Sequence, residues 1–234
     1  MIILAVATSW ESAPLARALG LRQAPKGRFE GAVSGRRVWM IQTGMGGEKT
    51  RLALDALPAD VLPELVVSAG FAGALRSGLR TGEVVLDAGA EGADLENWRR
   101  RLGERGLSER FGRVASAGRI LRTPGEKEIF AAESGALAVD MEWDALKAWA
   151  QERGIAAVAV KAVVDELDHA LPVEVPEACD ALAAARFILA RPARIPAAVA
   201  TYFRCRKATR ELKAFLEKFL PAACEPANLA DLPC

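Results

Sequence analysis

The chain has 234 residues, with 31 lysines and arginines against 30 aspartates and glutamates, which gives a formal net charge of +1. This length and composition predict one globular domain, and the near-neutral charge argues against a nucleic-acid partner, which would need a basic surface. The four cysteines form no CxxC pair, and the only histidine is His169. A metal site and a disulfide framework are therefore not expected.

Residues 1–6 are apolar but lack a basic leader and a small-residue cleavage site, so they predict a first strand rather than a signal peptide. No apolar run reaches the roughly 18 to 20 residues that would span a bilayer. The expected location is the cytoplasm.

Apolar runs and glycines divide the first half of the chain into alternating elements. Continuous apolar runs predict buried strands, and apolar residues at helical spacing predict helices. The predicted strands are 2–7, 37–43, 65–69, 83–86 and 114–120. The predicted helices are 12–20, 48–57 and a surface helix within 94–113. Glycine loops are predicted at 43–47 and 70–73, each directly after a strand.

The second half begins with a strong helix signal. Thr123 is a capping residue, a proline follows it, and Glu126 stands three residues after the cap. Further helices are predicted at 143–153, 179–189 and 197–220, and a strand ends at Asp165. Residues 1–220 are predicted to form one domain, with a basic terminal helix at 195–220 and a loosely ordered tail at 221–234. Strands separated by helices predict an α/β fold, a single-domain three-layer αβα arrangement with a mostly parallel central sheet.

Two acids stand where predicted strands end. Glu142 begins a helix after an apolar entry, and Asp165 closes a strand that carries no other acid. Ligands bind at the carboxyl edge of an open parallel sheet, so the two acids are expected to face one pocket. One could then act as a general acid while the other stays ionised and binds hydroxyls. The simpler alternatives are a first-turn acid favoured by the helix dipole, an exposed acidic loop, and pairing with Lys161.

These residues also carry a family resemblance. The segments 139–142 (VDME) and 161–165 (KAVVD) resemble the V-E-M-E and R-x-x-S-D signatures of the purine nucleoside phosphorylase and methylthioadenosine nucleosidase superfamily. The resemblance extends over most of the chain. It implies a nucleoside phosphorylase-like fold, a purine nucleoside as small-molecule partner, no cofactor, and a homo-oligomer.

The resemblance also implies roles for single residues. Asp165 would protonate N7 of the departing purine while Glu142 binds ribose hydroxyls, with Met141 against the ribose. The superfamily's nucleosidases carry a glutamate base near the first helix. An ungapped match places it at Ser12, and Glu11 takes the role if the loop shifts by one residue. Both are ordinary helix-start residues in the simpler reading.

Other segments would complete the binding site. Loop 43–47 could bring backbone N–H groups near a polar ligand at a helix start, although such glycines often only permit a turn. Segment 70–73 resembles the wall that cups the nucleoside in the superfamily. Residues 119–120 match the segment that contacts the base in the nucleosidases. The candidates from these segments are Gly44, Gly70, Phe71, Ala72, Gly73, Arg119 and Ile120.

Two departures from the superfamily bear on the nucleophile. The phosphorylases it resembles carry an arginine in an R-x-G-S-x-G pattern that holds phosphate, whereas this chain has Val67 before Ser68, Ala69 and Gly70. Loss of the arginine removes a bidentate phosphate contact, which favours hydrolysis over phosphorolysis. Val164 replaces the usual serine, which removes a hydroxyl beside Asp165.

The run from Thr123 to Glu142, continued by Asp165, Asp168 and the segments 170–172 and 191–196, looks most like the hopanoid-associated phosphorylase branch. Those proteins are thought to remove adenine from adenosylhopane. A nucleoside-like lipid is thus a second partner, and the basic terminal helix fits either packing on its own domain or peripheral contact with the inner membrane. The rival from another class is a non-catalytic module that binds a nucleoside or lipid.

Overall fold

The computed structural model describes residues 1–89, 93–104, 106–107, 110–170 and 195–223. The strands are β1 (Ile2–Val6), β2 (Arg22–Gln23), β3 (Phe29–Val33), β4 (Arg36–Gln42), β5 (Leu65–Ala74), β6 (Val84–Asp87), β7 (Arg110–Phe111), β8 (Val114–Ser116), β9 (Ala138–Asp140) and β10 (Ala156–Asp165). The helices are α1 (Ser9–Ala18), α2 (Gly47–Asp55), α3 (Ala93–Glu104), α4 (Pro124–Ser134), α5 (Trp143–Gln151) and α6 (Ile195–Ala223). The predicted helix at 179–189 and residues 224–234 of the predicted tail lie outside the described residues.

The strands form one mixed sheet in the order β2-β3-β4-β1-β5-β10-β6-β7, and β9 joins β5 to β8. The central strands β4, β1, β5 and β10 run parallel. Antiparallel pairs flank them, with β3 on β4, β6 on β10 and β9 on β5. The predicted α/β class and three layers are confirmed, with a parallel centre and antiparallel additions at the sides.

Side-chain alternation along the strands builds the two faces of the sheet. Along β1, Ile2 and Leu4 belong to one apolar cluster with α1, α3 and α6. Ile3 and Ala5 belong to the opposite cluster with α2 and α5. Continuous apolar strands are therefore buried on both faces, as their sequence predicts. All the parallel strands of the centre end at the same edge, which is where the candidate site lies.

Helix α6 packs on its own domain through its second half. Leu212, Phe215, Leu216 and Phe219 are buried, and Phe219 stacks on Trp98 of α3 at a centroid distance of 5.6 Å. The packing alternative is thus confirmed for these residues, and α3 is anchored by the same contact. In the first half, Val199, Tyr202 and Phe203 are 47%, 46% and 60% exposed. Within the described ranges, we find no helix with the length and apolar character of a membrane span.

Several predicted boundaries are wrong. The first helix begins at Ser9 and not at residue 12. Helix α6 runs on to Ala223, so residues 221–223 belong to the helix and not to a loosely ordered tail. The glycine loop predicted at 70–73 is part of β5, which runs on to Ala74. Glycine at 70 serves a close approach and not a turn, because a Cβ there would lie 2.5 Å from the Glu11 Oε1 atom. The strand predicted at 114–120 ends at Ser116, after which the chain turns away toward α4.

The helix signal at Thr123 is confirmed. The Thr123 hydroxyl accepts from the Glu126 N–H at 3.2 Å, and the Glu126 carboxylate accepts from the Thr123 N–H at 3.0 Å. This reciprocal capping fixes the first turn of α4. Gly135 ends the helix with φ 68°. The same first turn carries Lys127, whose side chain is buried under the end of β10.

Candidate active site

A buried cluster of charged side chains lies at the carboxyl end of the central strands. Lys161 comes from β10, Asp140 from the end of β9, Glu142 from the start of α5, and Glu11 from the first turn of α1. All four are buried, with Lys161 only 2% exposed. We call this the Lys161 cluster.

The Lys161 ammonium pairs with the Asp140 carboxylate at 2.7 Å. Burial on its own lowers the pKa of a lysine. Here the pKa of Lys161 is raised, because attraction from Asp140, Glu142 and Glu11 outweighs that burial. The three acids and one ammonium, each buried, make this end of the sheet a site of net negative charge. Such a site favours a ligand group that is cationic or becomes so.

Glu142 caps the Lys161 cluster from the side of α2. Its Oε1 accepts a hydrogen bond from the Gly46 N–H at 2.8 Å. Burial raises the pKa of the Glu142 carboxyl, while the Lys161 charge and the Gly46 N–H act in the lowering direction. Glu142 is therefore not an ordinary exposed first-turn acid. It is buried and is bonded to a loop 96 residues away in sequence.

Glu11 reaches across to β5. Its Oε1 accepts from the Phe71 N–H at 2.9 Å, and its Oε2 accepts from the N–H and the hydroxyl of Thr8, both at 2.8 Å. The Thr8 contacts are those of a helix-start acid, as in the simpler reading. The Phe71 contact and the burial of Glu11 belong to the Lys161 cluster. Of the two sequence candidates for the base, Glu11 and Ser12, Glu11 is therefore the one that belongs to the Lys161 cluster.

Ser12 is 2% exposed, and its hydroxyl lies 3.5 Å from Oε1 of Gln42 at the end of β4. Gly44, with φ 84°, and Gly46 form the loop after β4 that delivers the Gly46 N–H to Glu142. Met141 lies between the cluster members Asp140 and Glu142 and is partly exposed. The predicted loop at 43–47 therefore contacts Glu142, the acid that the sequence places at the ribose.

Asp165 lies at the very end of β10 and forms a second charged cluster with Lys127 of α4. The pairing of β10 with β5 shifts between Val163 and Asp165, so Asp165 lies next to Gly73 and not in line with Lys161. A Cβ at position 73 would lie 3.2 Å from Asp165 Oδ1 and 3.3 Å from Val139. The β5 segment from Gly70 to Gly73 consequently connects the two clusters, since its first residue abuts Glu11 and its last abuts Asp165.

The partner of Asp165 is Lys127 of α4, and both side chains are buried. Pairing of Asp165 with Lys161, which the sequence offered as the simpler alternative, is wrong, because Lys161 is held by Asp140. Burial raises the pKa of Asp165, against the opposing charges of Lys127, Arg204 and His169. Burial therefore favours the protonated form of Asp165, whereas the Lys127 ammonium favours its carboxylate.

Arg119 and Ile120, the predicted base-contacting pair, lie in the loop between β8 and α4. The Arg119 guanidinium is 66% exposed and pairs with Glu126 at 2.6 Å. It lines a shallow groove with the exposed Ile129 and with Ser116. Ser116 connects that groove to the Lys161 cluster, because its hydroxyl donates to Asp140 at 2.6 Å. Contact of Arg119 and Ile120 with a purine base stays a prediction.

Sequence reasoning missed Lys127, and it did not assign Asp140 a role. Lys127 stands in a well-predicted helix, and a lysine in a first turn gives no sign of burial. The alternation of side chains along β9 could have indicated Asp140. It lies two residues after the buried Ala138, on the face of the sheet that Lys161 occupies. Glu166, Asp168 and His169 also bring their ligand atoms within 4.8 Å of one another. Glu166 is already bonded to Arg80 at 2.7 Å, as in a surface ion pair.

The fold is that of the nucleosidases of known structure. The chain superposes on Helicobacter pylori 5'-methylthioadenosine/S-adenosylhomocysteine nucleosidase, solved with a bound pyrrolo[3,2-d]pyrimidine compound, with a TM-score of 0.71 and 15% identity, over 94% of this chain and 97% of that one. It superposes on H. pylori futalosine hydrolase with a TM-score of 0.70 and 15% identity, over 94% and 96% of the two chains. The Streptococcus pyogenes S-adenosylhomocysteine nucleosidase gives 0.70 and 16% identity, over 94% and 95%.

In sequence, the chain is 34% identical over 58 residues to the 5'-methylthioadenosine/S-adenosylhomocysteine nucleosidase of Haemophilus influenzae (strain PittEE). The matched stretch spans 25% of this chain and 25% of that protein. No protein-family model matches the sequence. The structural likenesses establish the fold, and the chemistry must be argued from the two clusters.

Proposed function

We propose that this protein hydrolyses the N-glycosidic bond of a purine nucleoside. The observation that carries the proposal is the Lys161 cluster, in which buried carboxylates outnumber the single ammonium at the ligand-binding edge of the sheet. Cleavage of a glycosidic bond passes through a transition state in which the sugar resembles an oxocarbenium cation. Fixed negative charge in a buried site stabilises that cation without reorganisation.

The ribose is placed against Glu142 and Met141 in this proposal. The Glu142 carboxylate accepts one hydrogen bond from the Gly46 N–H, and a carboxylate has about four acceptor positions. Ribose hydroxyls can therefore donate to it while the Gly46 contact holds its orientation. The purine then extends along the β5 segment from Gly70 to Gly73 toward Asp165, which protonates N7 as the bond to C1′ breaks.

Water is favoured over phosphate as the nucleophile. A phosphate dianion would be repelled by the acids of the Lys161 cluster, whose one ammonium is already paired with Asp140. The pair Val67 and Ser68, which precedes Gly70 in the strand where the phosphorylases carry the arginine, is uncharged and buried. It therefore supplies no cation to this edge.

Glu11 is the proposed base for the attacking water. Three of its acceptor positions are used by Thr8 and Phe71, which leaves room for a donor from water. We expect Glu11→Gln to lower turnover by about 10² to 10⁴ fold with little change in KM, since a general base acts in the transition state. Ser12→Ala is the control from the other sequence candidate. Loss of turnover in Ser12→Ala and retention in Glu11→Gln would reverse the assignment.

The finer substrate proposal is a nucleoside-like lipid such as adenosylhopane. It is supported by the resemblance of the run ending at Glu142, and by the exposed Tyr202 and Phe203 of α6.

One assay tests both levels of the proposal. The protein is mixed with adenosine, methylthioadenosine, inosine and an adenosine carrying a hydrophobic 5′ chain, each with and without phosphate, and free base is measured by chromatography. We expect base release without phosphate, and a higher kcat/KM for the hydrophobic conjugate. Strict dependence on phosphate would make the protein a phosphorylase. Binding of a nucleoside without base release from any compound would favour the non-catalytic module.

A further inference from the structure

Lys127 is a buried lysine that the proposed reaction does not yet use. Its side chain is 1% exposed, and its ammonium forms an ion pair with Asp165. It also donates to two backbone carbonyls of the turn that follows, those of Glu166 at 2.8 Å and His169 at 2.9 Å. A lysine ammonium has three N–H donors; two of them bond the turn, and the Asp165 carboxylate lies beside the ammonium as its ion-pair partner.

The position of Lys127 is set by α4 and not by the strand it serves. The Thr123 and Glu126 capping interactions fix the first turn of the helix. The next residue then points its side chain to the end of β10. Because the same ammonium holds both the Asp165 carboxyl and the turn 166–169, the acid has a defined place relative to the sheet edge.

The charge on Lys127 also has a chemical effect on Asp165. The charged and titratable groups that face Asp165 are Lys127 from α4, Arg204 from α6 and His169 from the turn. Burial raises the pKa of Asp165, and Lys127 opposes it most strongly of the three. Burial alone would give a carboxylic acid that keeps its proton and is weak. A nearby ammonium stabilises the carboxylate that forms on donation.

We propose that Lys127 is the positioning residue of the leaving-group acid: its ammonium fixes the Asp165 carboxyl at the end of β10 and stabilises the carboxylate left after donation. This inference rests on the proposed function. As the C1′–N9 bond breaks and its electron pair moves to the purine, the Asp165 proton passes to N7. Asp165 becomes a carboxylate beside the Lys127 ammonium, and a proton from solvent restores the acid after the base leaves.

The first test reads Asp165 directly and requires no turnover. The carboxyl carbons of aspartate are labelled with ¹³C, the Asp165 signal is assigned by its loss in Asp165→Asn, and its titration is followed by NMR. His169→Gln serves as the background, which removes the imidazole near Asp165. With Lys127 unchanged, the pKa of Asp165 should lie above the usual aspartate range, because burial raises it. A value within or below that range would overturn the inference, even if no Lys127 variant folds.

Variants at 127 then separate charge from shape. Lys127→Gln removes the charge and keeps an amide donor, Lys127→Arg keeps the charge, and Lys218→Met is an exposed control on α6. We expect the Asp165 titration to move to higher pH in Lys127→Gln only. An unmoved titration in a folded Lys127→Gln protein would reject the role of the charge.

Turnover gives the last arm, provided that the wild-type protein releases base. Lys127→Gln should lower kcat on a purine nucleoside by about 10 to 10² fold, part of the range for general acid catalysis. Its effect on a nitrophenyl riboside should be small, because that leaving group departs without a proton. In an Asp165→Asn background the Lys127 change should cost nothing further. Equal losses on both substrates, or additive losses in the double variant, would mean a merely structural lysine.

Discussion

Asp165→Asn is expected to lower the release of free purine by about 10² to 10⁴ fold, because asparagine cannot donate the proton that the departing base needs. The loss should appear in kcat, with KM for the nucleoside changed little, since the acid acts as the bond breaks. The measurement is steady-state base release from the best substrate of the assay above. Asp168→Asn is the matched control, because it makes the same change three residues on at a side chain that is 77% exposed.

The same variant carries a stability cost that must be separated from the chemistry. Removing the carboxylate leaves the buried Lys127 ammonium without its ion-pair partner, and breaking a buried pair costs about 3–5 kcal/mol. Turnover should therefore be measured at a temperature where the circular dichroism spectrum shows a folded variant. Wild-type turnover in a folded Asp165→Asn protein would remove Asp165 from the mechanism.

Much of the fold could be predicted from local sequence. The continuous apolar runs of β1 and β5 gave buried strands, and the Thr123–Glu126 capping pair gave the start of α4. Both are short-range signals. The extension of β5 through residues 70–73 was missed because the glycines that indicated a loop instead admit the Glu11 carboxylate.

The ion-pair partners in the site could not be predicted in the same way. The sequence placed Asp165 at a strand end and offered Lys161, four residues upstream, as its simple partner. The pairing with Lys127 depends on how α4 packs against β10, across 38 positions of the chain. Once Lys161 is taken by Asp140, the two candidate acids sit in separate surroundings: one beside the Lys161 cation and two other acids, the other beside Lys127. That difference in surroundings is what permits them to have different roles.

Glu142→Gln is expected to lower turnover by about 10² to 10³ fold. Glutamine keeps an oxygen that can accept from the Gly46 N–H, so the local fold should survive. It lacks the negative charge that would stabilise the cationic sugar, and removing one such preorganised electrostatic contact typically costs about 2.7–4 kcal/mol of transition-state stabilisation. Kinetics with the best nucleoside would show the loss in kcat. A Glu142→Gln variant with full turnover would mean that the carboxylate takes no part in the reaction.

The stability of the same variant should change in the opposite direction, and with pH. Burial raises the pKa of Glu142, so the folded protein holds this proton to a higher pH than the unfolded chain does. Below the unfolded glutamate pKa of about 4.3 both states are protonated and the group has no effect. As pH rises through the folded pKa, the unfolded state gains more from ionisation and stability is lost. Glutamine imitates the protonated form, so Glu142→Gln should melt above wild type at neutral pH and match it near pH 4.

Glu152→Gln provides a control of opposite sign. Its hydrogen bonds to Arg51 lower the pKa of the exposed Glu152 carboxyl, so its ionised form is favoured by folding. Replacement should therefore lower the melting temperature slightly at neutral pH, and the difference should vanish at acid pH. If both variants melt below wild type by amounts that do not depend on pH, the buried site does not favour the protonated form of Glu142. That result would mean that the Lys161 charge and the Gly46 N–H outweigh the effect of burial on the pKa of Glu142.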